Sequence, residues 1–368
     1  MKYWRGYVVA AIFAAISAAL VAFAKAHSTL IDMVYPYMTR IVISSLADWS
    51  GGVSFCVWDA LVALGLALAA VTVILIIVLR WNPFQLTGWA LAVVMFFSMC
   101  STLLYGLNDY TGPLAEDVRL NVTEYTVSEL NDAAAYFRDQ ANALAPEIQR
   151  DKDGVAIVPS FEEMAVQAAD GFDALTYEEA ISIFAGSTAP VKKKNLVGAI
   201  SKTQPLTGEC LVDPGSPDLA LPFVMCMEMA HRMSISDYEE AKYAAFLACK
   251  ENDSLEFRYS GYLMAYALCY DALSNIPTST AQSCAEVTKM GNNPLVNRDL
   301  RHSQDILDDL KGEKVHDYDV VDLLTSWHIQ EFVTPLHQVE EKPFDPLDPN
   351  QVDITYTEPT PQKLDKKK

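Results

Sequence analysis

The sequence predicts a mainly α-helical membrane protein: three transmembrane helices, then a helical domain with a few short strands. Three observations carry this. Uncharged apolar stretches of membrane length crowd the first third of the chain. Acidic side chains crowd the remainder. Helix-capping residues recur there ahead of amphipathic runs.

Tyr7–Ala24, Ala60–Leu79 and Trp89–Tyr105 carry no charge over 18, 20 and 17 residues, and Leu86–Gly88 extends the third. A helix of ~20 apolar residues crosses the hydrocarbon core, and soluble core helices are seldom apolar all round. Spans are therefore predicted over about 7–24, 57–79 and 86–105, within an anchor of residues 1–105. The first has a rival reading as a cleaved signal peptide, with Lys2 and Arg5 ahead of it and Ala22-Phe23-Ala24 at its end. Its apolar run exceeds the usual ~7–15 residues, which favours a retained anchor. Lys2, Arg5 and Arg80 flank the side expected to be cytoplasmic. That places the N-terminus in the cytoplasm of a multi-pass cell-membrane protein. The loop over residues 27–52 and everything after Tyr105 are then extracytoplasmic.

Of the 47 acids and 27 bases, 44 and 22 fall in residues 106–368. So acidic a domain repels nucleic acid and anionic headgroups, which excludes nucleic acid as a partner and leaves ordinary solubility as the plain explanation. Seven cysteines without C-x-x-C spacing give no disulfide framework.

Residues 106–339 form the predicted domain. Leu107–Asn121 reads as an extended linker. Thr126 or Ser128 caps a helix to about Leu144, with Leu130, Ala134, Phe137 and Ala141 on one face. Ser160 caps a second, Phe161 to about Leu175. Lys192–Lys194 reads as a solvated basic loop, and Leu196–Leu211 as one or two short strands. Pro222 opens an apolar helix, Leu221–Met233. Ser236 or Asp237 caps Tyr238 to about Lys250, and Ser254 caps Leu255 to about Leu273. Ser279–Lys289, Arg298–Leu310 and Val320–Val333 complete the helices. The tail, 340–368, is predicted to be disordered.

The chemistry-bearing segment is Met227-Glu228-Met229-Ala230-His231, the frame of H-E-x-x-H with Met at the first position. In the intact motif two His at i and i+4 share a helix face and hold zinc, and the Glu activates a bound water. On its own an E-x-x-H is equally an i,i+3 polar pair. Glu240, nine residues after His231, is placed to fold back as a third ligand, with its neighbour Glu239 the other candidate, and its plain alternative is a helix-start carboxylate. Cys226 lies ~140° around the helix from His231, against ~40° for Met227, and should face away. That leaves Cys210 as the better substitute ligand. His302, His316, His328 and His337 fit no ligand spacing and read as surface histidines. No phosphate-loop, dinucleotide or nucleophile-elbow motif is present.

Several segments occur in the order of a known family. They are Tyr35-Pro36-Tyr37, Tyr105-Gly106-Leu107-Asn108, Tyr125-Thr126-Val127-Ser128-Glu129-Leu130 and Pro205-Leu206-Thr207-Gly208-Glu209. Leu221-Pro222-Phe223 ahead of the Met227–His231 helix, Tyr259-Ser260-Gly261-Tyr262-Leu263 and Arg298-Asp299-Leu300 follow. Through them the chain resembles the bacterial membrane proteins of domain of unknown function 3810, themselves similar to zinc metallopeptidases. The resemblance implies a zincin-like extracytoplasmic domain, with Glu228 as general base and His231 and Glu240 as metal ligands. Met227 stands at the lost ligand's place. A thioether contributes little to Zn²⁺, so zinc binding is expected to be weak or absent and catalysis impaired. The expected role is then binding, of a peptide or a neighbouring membrane protein, beside the lipid bilayer. An active zinc peptidase with a substituted ligand and a structural protein without metal remain the alternatives.

Overall fold

A computed structural model describes residues 2–334, apart from residues 81, 153, 195–200, 304–306, 308–309, 311 and 313. The predicted disorder of the tail and the position of His337 lie outside these residues. The protein is mainly helical, with one small sheet, and three helices near its start are long and apolar enough to cross a membrane.

Helices α1 (Arg5–Ala26) and α4 (Pro83–Ser101) pack as a parallel pair. Near their starts the backbones touch: a Cβ on Gly6 would come within 2.4 Å of the Gly88 carbonyl carbon. Further along, the Phe13 and Phe96 rings lie 5.4 Å apart, and at the far end Ala24 and Leu107 share a small apolar cluster with Ile31. The sequence offset between partners stays nearly constant, so the two helices keep register over their length. Helix α3 (Val57–Leu79) must then return between them, and none of its apolar window is buried.

The segment expected as a loop over 27–52 is instead a 24-residue helix, α2 (Ser28–Gly51). Asp32, Arg40 and Asp48 recur every eight residues and keep its hydropathy too low to stand out. Its partners are remote in sequence. Thr39 Oγ1 meets Ser234 Oγ at 3.1 Å, and Ser187 Oγ donates to Asp48 at 2.5 Å. The expected extended linker also differs: it holds a 3-10 turn, Asn108–Tyr110, and a short helix, α5 (Leu114–Asp117).

In the helical domain, α6 (Val127–Leu144) begins at a capping box on Thr126 and buries the predicted Leu130, Ala134, Phe137 and Ala141. The predicted second helix is broken into α7 (Phe161–Gln167) and α8 (Asp170–Tyr177). The break seats Gly171 on the Ala248 carbonyl, where a Cβ would approach to 1.9 Å. Strands β1 (Lys192–Lys193), β2 (Lys202–Gln204) and β3 (Glu209–Val212) form a sheet in the order β1-β3-β2. β1 runs parallel to β3 and β2 antiparallel, with Thr203 opposite Cys210. Helix α9 (Leu221–Arg232) lies between this sheet and helices α10 (Tyr238–Lys250) and α11 (Leu255–Asn275). Helices α12 (Ser279–Met290), α13 (Pro294–Ser303) and α14 (Val320–His328) close the domain, and a π turn, Ile329–Val333, follows. The aromatic core is centred on Phe137, Phe246 and Trp327.

Lys192 does not sit in a solvated loop. Its ammonium donates to the carbonyls of Ser50, Val53 and Phe55 at 2.8–3.0 Å and pairs with Glu209 at 2.9 Å. Glu209 in turn accepts the amides of Val57 and Trp58 at 2.8 and 2.7 Å, the first-turn donors of α3. Those helix N-terminal amides have no intrahelical partner, so a carboxylate there is doubly favoured. Gly208 precedes it at φ +68°, pressed onto α2. The Pro205–Glu209 segment thus fastens the sheet to the α2–α3 corner.

Candidate functional site

All twelve residues of α9 are buried. Pro222 stands in its first turn, and Ser260 Oγ accepts the Phe223 amide at 3.2 Å, so an otherwise orphaned donor at the start is satisfied. A helix enclosed on every side can hold polar groups only where neighbours serve them. Of its three buried polar side chains, Arg232 donates to the Ala189 and Ser187 carbonyls at 2.8 and 2.7 Å, which leaves Glu228 and His231 as the informative pair.

Glu228 is 0% exposed. The Thr203 hydroxyl lies 2.6 Å from the Glu228 carbonyl and 2.9 Å from Oε2, and Oε1 has no partner. One hydroxyl proton cannot serve both contacts. Burial pushes the Glu228 carboxyl up to about 8, against the opposing bonds from Thr203. A neutral carboxyl resolves the pair: it donates to Thr203 Oγ1, and the hydroxyl donates to the carbonyl. Cys210, on β3 opposite Thr203, donates its thiol to the Glu228 carbonyl at 3.3 Å. Burial raises that thiol, so Cys210 is held as a neutral SH rather than a thiolate.

His231 Nδ1 lies 2.7 Å from the Ile235 carbonyl and 3.2 Å from the Tyr105 hydroxyl. The Tyr105 hydroxyl also donates to Ile235 O at 3.1 Å. Nδ1 therefore carries the proton, and Nε2 keeps a lone pair with no partner. Burial lowers His231 to about 4, so the ring is neutral at ordinary pH. Tyr105 comes from the π turn Thr102–Gly106 that ends α4, which brings the last apolar helix into contact with the site. Met227, 2% exposed, is four residues before His231 and on the same helix face. Cys226 points elsewhere, toward the Ala168 carbonyl at 3.8 Å.

Glu240 lies in the first turn of α10, and its Oε1 accepts the Leu114 amide at 3.0 Å and meets His316 Nδ1 at 2.9 Å. His316 Nε2 faces the Thr111 carbonyl at 3.0 Å. A carboxylate beside one ring nitrogen and a carbonyl beside the other is the setting of an imidazolium. The Glu240 carboxylate holds His316 up at about 9, against the opposing effect of burial. Burial raises Glu240, and His316 opposes that rise. Asp237 caps α10 and also accepts the Val315 and His316 amides at 2.6 and 2.8 Å. His316 is therefore not a surface histidine; its side chain is 17% exposed. His328 is not one either: it is 8% exposed, packed on Tyr136 and Phe332. The side chain of His302 lies outside the described residues. Nothing in the spacing of His316 flags its role, because Glu240 is 76 residues away and only the fold joins them.

Glu240 and His316 border a cavity of about 200 Å3 with Asp32, Tyr37, Arg40 and Asp117, whereas Glu228 and His231 lie outside its lining. Among the described residues no three His, Cys, Asp or Glu side chains gather as a metal-holding group. A catalytic zinc site needs three protein ligands. Here the His231 imidazole has one unpartnered nitrogen, a thioether stands one turn before it in α9, and the Glu240 carboxylate is tied to His316 and the Leu114 amide. As arranged, these groups do not fit that ion.

Fold and site together define a helical protein with three membrane-length helices and a buried E-x-x-H helix. The chain belongs to the family described as protein of unknown function (DUF3810), whose sequence model matches residues 32–320. No curated protein and no solved structure matches the chain.

Proposed function

We propose that this protein is a membrane-anchored, zincin-like relative of zinc metallopeptidases, impaired in catalysis, that acts by binding a polypeptide segment. The basic residues Lys2, Arg5 and Arg80 favour a cytoplasmic N-terminus and an extracytoplasmic helical domain. One observation carries the reading: the Glu240 carboxylate engages His316 and the Leu114 amide, while Met227 stands one turn before His231. A neutral Glu228 also lacks the charge a general base needs at neutral pH. The polar cavity beside Glu240, open to both charge signs, is the natural receptor for a peptide's main chain.

Metal analysis of the detergent-purified full chain tests this. Zinc is expected well below one equivalent, and Met227→His is expected to raise it. A full equivalent of zinc in the native chain, lost on His231→Ala, would instead support a working hydrolase with a metal site rebuilt from His231 and Glu240, with Cys210 as the substitute ligand. An unchanged zinc content in Met227→His would favour a structural protein that never held metal.

A further inference from the structure

The longest apolar surface left unexplained lies on α2, outside any predicted span. We infer that α2 is an interfacial helix, lying along the bilayer surface with one face sunk into the leaflet next to the helical domain.

Three attachments fix where α2 runs. Only His27 separates its start from the end of α1. In its third turn, the Tyr35 hydroxyl donates to the carbonyls of Thr102 and Leu103 at 3.3 and 2.9 Å, in the π turn that ends α4. Past Gly51, five residues lead into α3. Because α1 and α4 are parallel and α3 returns, these are the three helix ends that emerge at one membrane face. A helix of 24 residues is ~36 Å long. Tied at its start, in its third turn and at its end to one face, it lies flat against that face.

The two sides of α2 then differ as an interfacial helix requires. Ile31, Thr39, Ile43 and Ala47 are buried on the helical domain. All three charged residues of α2 are spent on that domain or its approach. Asp32 accepts the Gly112 amide at 2.6 Å, Arg40 donates to the Ser182 carbonyl at 3.0 Å, and Asp48 accepts from Ser187. The opposite side presents Leu30, Val34, Met38 and Ile41, each 46–54% exposed, with no charge among them. Soluble proteins rarely expose so continuous an apolar stripe. A helix with this segregation buries its apolar side ~5–10 Å into the headgroup and acyl boundary. Trp49, 64% exposed, and Phe55, 59% exposed, stand at its end, the level aromatic rings favour. The occupant is lipid rather than a second protein, because the stripe is continuous at both ends with helices that lipid already surrounds.

Photocrosslinking of the full chain in phosphatidylethanolamine and phosphatidylglycerol vesicles tests the placement. Met38 or Ile41 is replaced by p-benzoylphenylalanine, and in a third chain Val287, 66% exposed on α12, is replaced as the reference. All three side chains are exposed, so none of the replacements disturbs a packed core. Lipid adducts at both α2 positions and none above background at 287 are expected. Equal lipid labelling at all three positions overturns the inference. So do adducts at 38 and 41 to another copy of the chain, or the absence of adducts there.

Discussion

At the scale of the residue, three buried titratable groups make opposite demands on pH. Glu228 keeps its proton to about 8 when folded, well above the usual carboxyl value of 4.5. The folded state then binds more protons than the unfolded one between those values, so its contribution is full below pH 4.5 and is lost by pH 8. Glu228→Gln keeps the neutral shape and removes that loss. The variant should gain on the native protein as pH rises from 5 to 8, by at least ~1 kcal/mol at the upper end, read by thermal unfolding in detergent. A constant gap across that range would show that the carboxyl ionises normally. His316 is raised from 6.5 to about 9 by Glu240, so its contribution is present below pH 6.5 and lost as pH rises through 9. His316→Gln should cost about 1–2 kcal/mol at pH 6, allowing for solvent screening, and leave a flatter profile from 6.5 to 9. His231 works the other way. Lowered to about 4, it destabilises the fold as pH falls below 6.5.

At the scale of the element, what the sequence disclosed depended on how local the cause was. Thr126, Ser160 and Asp237 cap the helices they precede, and their partners lie within a few residues. Such starts are legible from one line of text. The three apolar helices are equally legible, because lipid asks only for length and composition. Helix α2 was not, since Asp32, Arg40 and Asp48 find partners at Gly112, Ser182 and Ser187. Lys192 looks solvated in the sequence for the same reason, its four acceptors being 17 to 142 residues away. Of the site, Glu228 and His231 could be found by motif, whereas His316 could not. The Pro205–Glu209 and Arg298–Leu300 segments proved to be fasteners: Asp299 pairs with Arg150 at 2.7 Å and accepts from Tyr259 at 2.5 Å. Glycines separate fastening from filling. Gly208→Ala puts a Cβ 2.4 Å from the Ala47 amide nitrogen at a positive φ and should cost ~2 kcal/mol or more. Gly65→Ala meets nothing within 4 Å on α3 and should leave the unfolding temperature unchanged or slightly higher. Similar behaviour of the two would remove the argument that the sheet is seated on α2.

At the scale of the whole molecule, membrane-length helices and helical domain are interleaved rather than strung end to end. The domain gives Glu209 to the start of α3, and the apolar region gives α2 and Tyr105 to the domain. The family match accordingly begins at residue 32, within α2, and not after the last apolar helix. A fragment of residues 106–339 would expose the α2 seat and leave the Glu209 carboxylate and Lys192 ammonium without backbone partners. Expressed alone, it should aggregate or melt at a markedly lower temperature than the intact chain. A fragment melting as cooperatively as its parent would show the interleaving to be dispensable. The Tyr105 hydroxyl bears on both the imidazole of His231 and the carbonyl of Ile235, at the tip of a helix sized to the bilayer. A change in how far that helix leans would therefore be felt first at the Ile235 carbonyl, the acceptor that keeps the proton on Nδ1.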